Sequence, residues 1–281
     1  MEFYIQQKKY TYDDLDEWIK HNLFKFNYYN GLNKMGNKQL TDDIGWSCTI
    51  KSFQMMLANY MNQINKEIDI VSLLYKQNGD LSIKKFITEL NNLKYEEGKH
   101  LGSFLISKIY QQMIQNTPVS FEMHVTDDNL LDIQEIDFNK NNIFLYSTRL
   151  GLTTFDSKYY QLIKNCFLNP SFLGFVGGVG TASYYFFGYE PSTEYLVYLD
   201  PHVISKYKST LKLKQLQAKH YSIVHISHIN PSILFCFYSC NEKKFITFKK
   251  FLELNTCFNI LNKQDYQIKN NSTTDSNWEL L

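Results

Sequence analysis

Residues 45–60 read Gly45-Trp46-Ser47-Cys48-Thr49-Ile50-Lys51-Ser52-Phe53-Gln54-Met55-Met56-Leu57-Ala58-Asn59-Tyr60. Ile50, Phe53, Met56, Leu57 and Tyr60 recur at helical spacing, so the segment from Thr49 to Tyr60 is predicted to be a helix. The stretch before it, Asn30 to Asp43, is rich in Gly, Asn and Lys and reads as a loop. Cys48 therefore stands where a loop opens a helix. A thiol there feels the positive end of the helix dipole and backbone N–H groups that lack intrahelical partners. Both favour the nucleophilic thiolate. The plainer alternative is a small buried hydrophobe, a common fate of a free cysteine.

On the N-terminal side, Leu15, Trp18, Ile19, Leu23 and Phe26 predict a helix from Asp13 to Phe26. On the C-terminal side, helices are predicted at Asp80 to Leu93 and Leu101 to Ile114. The period then shortens. Val119 to Val125, Ile143 to Thr148, Phe172 to Val176, Tyr184 to Tyr189 and Tyr195 to Leu199 read as strands, with a helix at Asp156 to Phe167 between two of them. Tyr221 to Ile229 alternates, Ile233 to Ser239 is a continuous apolar strand, and Lys243 to Leu254 returns to helix. Helices gather in the first half and strands in the second, which predicts an α+β fold. The expected organisation is one domain over residues 1–262 and a flexible polar tail over 263–281.

Lys plus Arg number 29 and Asp plus Glu 28, a balance that argues against nucleic acid as a partner and against bulk attraction to an acidic membrane. Hydrophobic residues at 44% against charged ones at 20% exclude a mainly disordered chain. Aromatics at 16% favour thick strand-rich layers and Tyr-lined clefts. The five cysteines (Cys48, Cys166, Cys236, Cys240, Cys257) are scattered and odd in number, so a reduced, cytoplasmic setting is expected. Cys166, Cys236, Cys240 and Cys257 are expected in the core. The N-terminus does not read as a signal peptide. Apolar runs such as Ile233 to Tyr238 fall far short of the ~20 residues of a membrane span. No second ligand pair accompanies Cys236 and Cys240, so neither a metal nor a cofactor is expected.

A thiolate needs a base, and the base needs an orienting partner. Asp200-Pro201-His202 follows the strand Tyr195 to Leu199. Pro201 marks the strand end, and an Asp two residues before a His can support the imidazole and fix its tautomer. A solvated Asp-Pro turn is the alternative. His124, His225 and His228 read as packing or surface residues. His21, His100 and His220 have no charged neighbour in sequence that suggests a role.

Taken in order, these stretches resemble the autophagins, the autophagy-related cysteine peptidases that act on a ubiquitin-like modifier. Asp43-Ile-Gly-Trp-Ser-Cys48 resembles the family's Asp-Thr-Gly-Trp-Gly-Cys nucleophile motif, and Glu97-Gly-Lys99 its Gly-Glu-Gly-Lys segment. Arg149-Leu-Gly-Leu152 and the helix to Cys166-Phe167 match in order. Gly177-Gly178, Ser183 to Tyr189, Tyr198-Leu-Asp-Pro-His202 and Asn230-Pro-Ser-Ile233 follow the family's order as well. The resemblance covers Leu23 to Leu254.

The resemblance implies a papain-like fold with Cys48 as nucleophile, His202 as general base and acid, and Asp200 as its orienter. Papain-like enzymes place a Gln six residues before the nucleophile; here that position is Asp42, a poor oxyanion donor. The family is thought to use a tyrosine hydroxyl instead, which points to Tyr28, with its neighbour Tyr29 as alternative, alongside the Cys48 backbone N–H. Gly177, Gly178 and Gly180 are expected in a Gly-rich loop that acts as a lid, with an ordinary hairpin connection as the alternative. Two departures stand out. Tyr184 replaces a family histidine, and Pro118 takes the place of a tryptophan that covers the family's cysteine.

Trp278-Glu-Leu-Leu281 resembles the short motif that adds a strand to autophagy modifiers and fills two pockets with an aromatic and an aliphatic side chain. The implied protein is a monomeric, metal-free thiol peptidase. It would process a modifier precursor after glycine and release the modifier from its phosphatidylethanolamine conjugate, touching membranes only through that conjugate. The rivals are an adaptor that binds the modifier through Trp278 and Leu281 without cleaving it, and a papain-like peptidase for another ubiquitin-like protein.

Overall fold

The computed structural model describes residues 2–126, 130–133, 136–255 and 257–261. The first third of the chain runs β1 (Phe3–Ile5), β2 (Lys8–Tyr10), α1 (Tyr12–Asn22), β3 (Tyr28–Met35), β4 (Leu40–Asp42) and α2 (Cys48–Ile64). There follow α3 (Ile83–Asn92), α4 (Ser103–Gln115), β5 (Phe121–Val125), β6 (Leu130–Asp132), β7 (Asn141–Arg149) and α5 (Tyr160–Phe167). The remainder is β8 (Phe172–Val179), β9 (Ala182–Glu190), β10 (Tyr195–Leu199), β11 (Ile204–Lys206), α6 (Leu213–Leu216), β12 (Ser222–His225), β13 (Ile229–Ser239), α7 (Glu242–Glu253) and β14 (Asn259–Leu261).

The main sheet runs β12-β10-β9-β8-β13-β7-β5, with β1 joined to β9 and β2 to β1. All its ladders are antiparallel except that of β5 with β7. The strand alternation of β13 sends Leu234, Cys236 and Tyr238 to one core and Ile233, Phe235 and Phe237 to the other. The first core lies under α2, α3 and α4, and the second under α5 and α7. The sheet is thus covered on both faces, which explains why its central strands read as continuous apolar runs and why Phe and Tyr are so abundant. Each fully buried Phe of the second core, such as Phe172, Phe175 and Phe237, contributes roughly 1.5–3 kcal/mol of transfer free energy.

Helix α2 is buried from Cys48 to Asn62, because the sheet takes one side and the other helices take the rest. Lys51, Ser52, Gln54 and Asn59 are buried with it and all find partners. Asn59 donates to the Tyr185 hydroxyl at 2.6 Å, which itself donates to the Leu173 carbonyl at 2.6 Å, pinning the helix to β8 and β9.

Several expectations are corrected. The segment Asn30–Asp43 is a β-hairpin, not a loop: β3 pairs with β4 and, on its other edge, in parallel with β11. Only Tyr28, Tyr29, Leu32 and Met35 of β3 are buried, so its exposed Asn, Gly and Lys residues hid it. Helix α1 ends at Asn22, and Leu23 continues in extended conformation. Gly177 and Gly178 are not loop residues. They lie in β8, opposite Tyr184 and Ser183, and only Gly180 occupies the turn, at φ +59°. Cys240 is exposed just past β13, and Cys257 is half-buried in a turn after α7. Among the described residues no helix is long and apolar enough to cross a membrane. The expected tail, 263–281, lies outside the described residues.

Candidate active site

Cys48 is the first residue of α2. Gly45, at φ +79°, turns the chain into the helix, a conformation that suits glycine. Ser47 precedes the helix but does not cap it; its hydroxyl donates to the Asp43 carbonyl at 2.8 Å. The first turn therefore has no side-chain cap, and the helix start faces the site with its N–H groups. Thr49 Oγ1 meets Ser183 Oγ at 2.8 Å, and Ser52 donates to the Ser183 carbonyl at 3.1 Å. These contacts fix the first turn of α2 against β9.

Asp200, Pro201 and His202 leave the end of β10. Asp200 Oδ1 lies 2.6 Å from His202 Nδ1 and accepts the His202 backbone N–H at 2.8 Å. One carboxylate oxygen thus fixes both the backbone and the ring. Nε2 is left free of the carboxylate, and the His202 ring lies close enough to Cys48 for each to shift the other's ionisation.

β3 brings Tyr28. Its N–H faces the Pro201 and Val203 carbonyls at 3.0 and 3.1 Å, so the strand is bound directly to the His202 segment. Its ring stands edge-on to the His202 ring, centroids 5.3 Å apart, and its hydroxyl lies near enough to Cys48 for the two ionisations to influence each other. Burial, reinforced by the charge of Cys48, raises the Tyr28 ionisation well above its ordinary value, so the hydroxyl remains a neutral donor. Tyr29 points away; it packs on Tyr75 and Tyr207, under the Lys51 ammonium.

Burial pushes the Cys48 thiol up. Hydrogen bonds from His202, the Ser183 backbone and Tyr28, with the charge of His100, outweigh it and bring the thiol down to about 6. The hydrogen bond from Asp200, then that with Cys48, raises His202 to about 9 against the opposing effect of burial. For Asp200, burial is outweighed by its hydrogen bonds to His202 and by Lys25, and the carboxyl lies below its usual range. Between these limits the pair stands as thiolate and imidazolium. Burial moves Cys166, Cys236 and Cys257 the other way, toward the inert thiol.

Cys48 is only 1% exposed, while the side chains of Asp200 and His202 are 37% and 27% exposed. A cleft of about 400 Å³ opens beside the first turn of α2, lined among others by Thr49, Leu101, Arg149, Gly177, Gly178 and Ser183. Gly178 leaves room there for the Asn230 side chain, which donates to the Gly180 carbonyl at 2.7 Å and fastens the β8–β9 hairpin.

The structure brings together Cys48, Asp200, His202 and Tyr28. Tyr184 faces the His202 ring, with centroids 5.2 Å apart. Pro118 is exposed between α4 and β5 and makes none of the contacts recorded at the sulfur. Trp278 and Leu281 lie outside the described residues. Sequence reasoning missed His100, whose Nδ1 is 3.8 Å from Cys48 Sγ. No local signal marks it, since its neighbour in space is 52 residues away in sequence.

The family model of the peptidase C54 catalytic domain matches residues 15–251. The chain is similar to the cysteine protease ATG4 of Candida albicans, at 25% identity over 90% of this chain and 61% of that protein. It is also similar to the probable cysteine protease ATG4 of Scheffersomyces stipitis, at 25% identity over 85% of this chain and 49% of the relative. With the cysteine protease ATG4B of Xenopus laevis it shares 23% identity over 78% of this chain and 70% of the relative. The chain thus spans about half to three-fifths of the length of the first two relatives. With a match across most of its length, an α+β fold and a cysteine opening the buried helix, the chain belongs to the peptidase C54 family.

Proposed function

We propose that this chain is a cysteine endopeptidase that cleaves after the C-terminal glycine of a ubiquitin-like autophagy modifier. The observation that carries the reading is the 2.6 Å contact of Asp200 with His202, whose ring shifts the ionisation of a cysteine at a helix start. The family match and the protease names of the relatives support the reaction class. The substrate follows from the autophagin resemblance.

In this mechanism the Cys48 thiolate attacks the carbonyl carbon of the substrate glycine. A C–S bond forms, and the carbonyl oxygen becomes an oxyanion held by the Tyr28 hydroxyl and the Cys48 backbone N–H. His202 gives its proton to the leaving amine as the C–N bond breaks. Water then attacks the thioester; His202 takes its proton, and Cys48 leaves as thiolate with the glycine carboxylate released. The same sequence cleaves a peptide bond of a precursor or the amide to phosphatidylethanolamine. The nearly enclosed sulfur and the cleft lined by Gly177 and Gly178 suit a tail without side chains near the cut. Trp278 and Leu281 are proposed as a second contact with the modifier, and the enzyme is proposed to act in the cytoplasm as a monomer.

The test is a panel of ubiquitin-like proteins, each carrying a C-terminal electrophile in place of the scissile bond. Labelling of Cys48 by autophagy modifiers alone is expected. Labelling by a different ubiquitin-like protein alone assigns another substrate. Binding without any labelling, lost when residues 278–281 are removed, returns the adaptor.

A further inference from the structure

Two imidazoles meet the Cys48 sulfur, from separate parts of the chain. His202 is backed by Asp200. His100 comes from the loop before α4 and places Nδ1 3.8 Å from the sulfur, within the longer reach of a sulfur partner. The placement of that loop is built rather than incidental. Glu97, three residues earlier, is 3% exposed and accepts the Asn37 and Lys38 backbone N–H groups at 2.6 and 2.8 Å. It also accepts from the Asn91 side-chain amide. Gly36 keeps the space that this carboxylate fills, since a Cβ there would collide with it. The loop is thereby fastened to the turn between β3 and β4, the same hairpin that carries Tyr28.

We propose that His100 is a further residue of the catalytic centre: through Nδ1–H it hydrogen-bonds the resting Cys48 thiolate, while His202 alone carries the proton transfer. The division of labour follows from the partners. Among the described residues no carboxylate stands within ion-pair distance of the His100 ring, so nothing fixes it as a base. The other groups facing the sulfur are Tyr28 from β3, Ser183 and Tyr184 from β9, His202 after β10 with Asp200 behind it, and Thr49 on its own helix. Of these, only His202, like His100, presents an imidazole to the sulfur. His100 also adjoins Leu101, which lines the cleft. The thiolate is held by His100 at rest and is released to the carbonyl carbon on attack.

This inference rests on Cys48 being the nucleophile, and the test separates the two. The rate of iodoacetamide alkylation at Cys48 is followed from pH 5 to 10 by peptide mass, with exposed Cys240 read separately. Wild type, His100→Ala and His100→Asn are compared; the asparagine amide keeps a donor near the place of Nδ1. His100 is exposed, so both variants are expected to fold, and circular dichroism checks this. Severalfold slower alkylation of His100→Ala near pH 6, equal rates near pH 10, and partial recovery in His100→Asn are expected. Superimposed wild-type and His100→Ala profiles overturn the role of His100, as does faster alkylation of His100→Ala at every pH, which would make the ring a cover. If wild-type Cys48 reacts no faster at pH 6 than Cys240, the nucleophile reading itself fails.

Discussion

Asp43 and Lys51 form an ion pair of 2.6 Å in which neither side chain is more than 3% exposed. The second oxygen of Asp43 accepts the Tyr29 backbone N–H at 2.6 Å, and the Asp43 N–H donates to the Tyr29 carbonyl at 3.1 Å. One carboxylate thereby ties the strand that carries Tyr28 to the helix that carries Cys48. The ammonium of Lys51 also lies 4.8 Å from the centroid of the Tyr29 ring. Lys51→Met leaves a buried carboxylate uncompensated and is expected to cost about 3–5 kcal/mol in urea unfolding. The double variant Asp43→Asn with Lys51→Met is expected to recover part of that loss. A Lys51→Met variant as stable as wild type contradicts the pairing.

The proposed reactive pair predicts a bell-shaped pH profile for kcat/KM. The thiol is lowered to about 6, so activity falls as pH drops through that value and the thiolate is protonated. His202 is raised to about 9, so activity falls again as pH rises through that value and the imidazolium is lost. The two limbs belong to the coupled pair rather than to either residue alone. The same shifts bear on stability. The Cys48 contribution is present above the ordinary thiol range and is lost as pH falls toward 6. The His202 contribution is full below its ordinary value and is lost as pH rises toward 9. A single rising limb through pH 9 would exclude a resting ion pair.

Asp200→Asn preserves the shape of the His202 support but removes its charge and lets the wrong tautomer form. The expected loss in kcat is about 10⁴-fold, by analogy with the same change in a serine protease triad. Because the Asp200 hydrogen bond is the largest influence raising His202, the basic limb of the profile is also expected to move down from about 9. Loss of rate with an unmoved basic limb would separate Asp200 from the His202 ionisation.

Tyr28→Phe deletes the proposed oxyanion donor and leaves the ring against His202. The expected outcome is a fall in kcat of about 10²–10³-fold with little change in KM. Tyr29→Phe, whose ring packs on Tyr75 and Tyr207, is expected to leave kcat nearly unchanged. Equal effects from the two variants would remove the distinction between them.

Cys48 and the Asp200–His202 pair were legible as candidates because local chemistry marks them. Cys48 opens a periodic apolar helix, and Asp200-Pro201-His202 ends a strand. The resemblance supplied Tyr28, which no local pattern singles out among 21 tyrosines. The β3–β4 hairpin was hidden because its exposed edge is made of Asn, Gly and Lys, residues typical of loops, and its pairing partner β11 lies far along the chain. Gly177 and Gly178 looked like a loop because glycine carries no strand signal; they are strand residues kept small by Phe175 and Asn230. Lys51 and His100 escaped notice for one reason. The burial of the first and the position of the second beside Cys48 are products of tertiary packing, and neither is written in sequence spacing.

The most direct measurement is intact mass of an autophagy-modifier precursor, with residues beyond its glycine, incubated with wild type and with Cys48→Ala. Loss of those residues after glycine with wild type alone is the predicted result. Equal cleavage by both proteins would contradict Cys48 as the nucleophile, and an uncleaved precursor with both would contradict the proposed reaction.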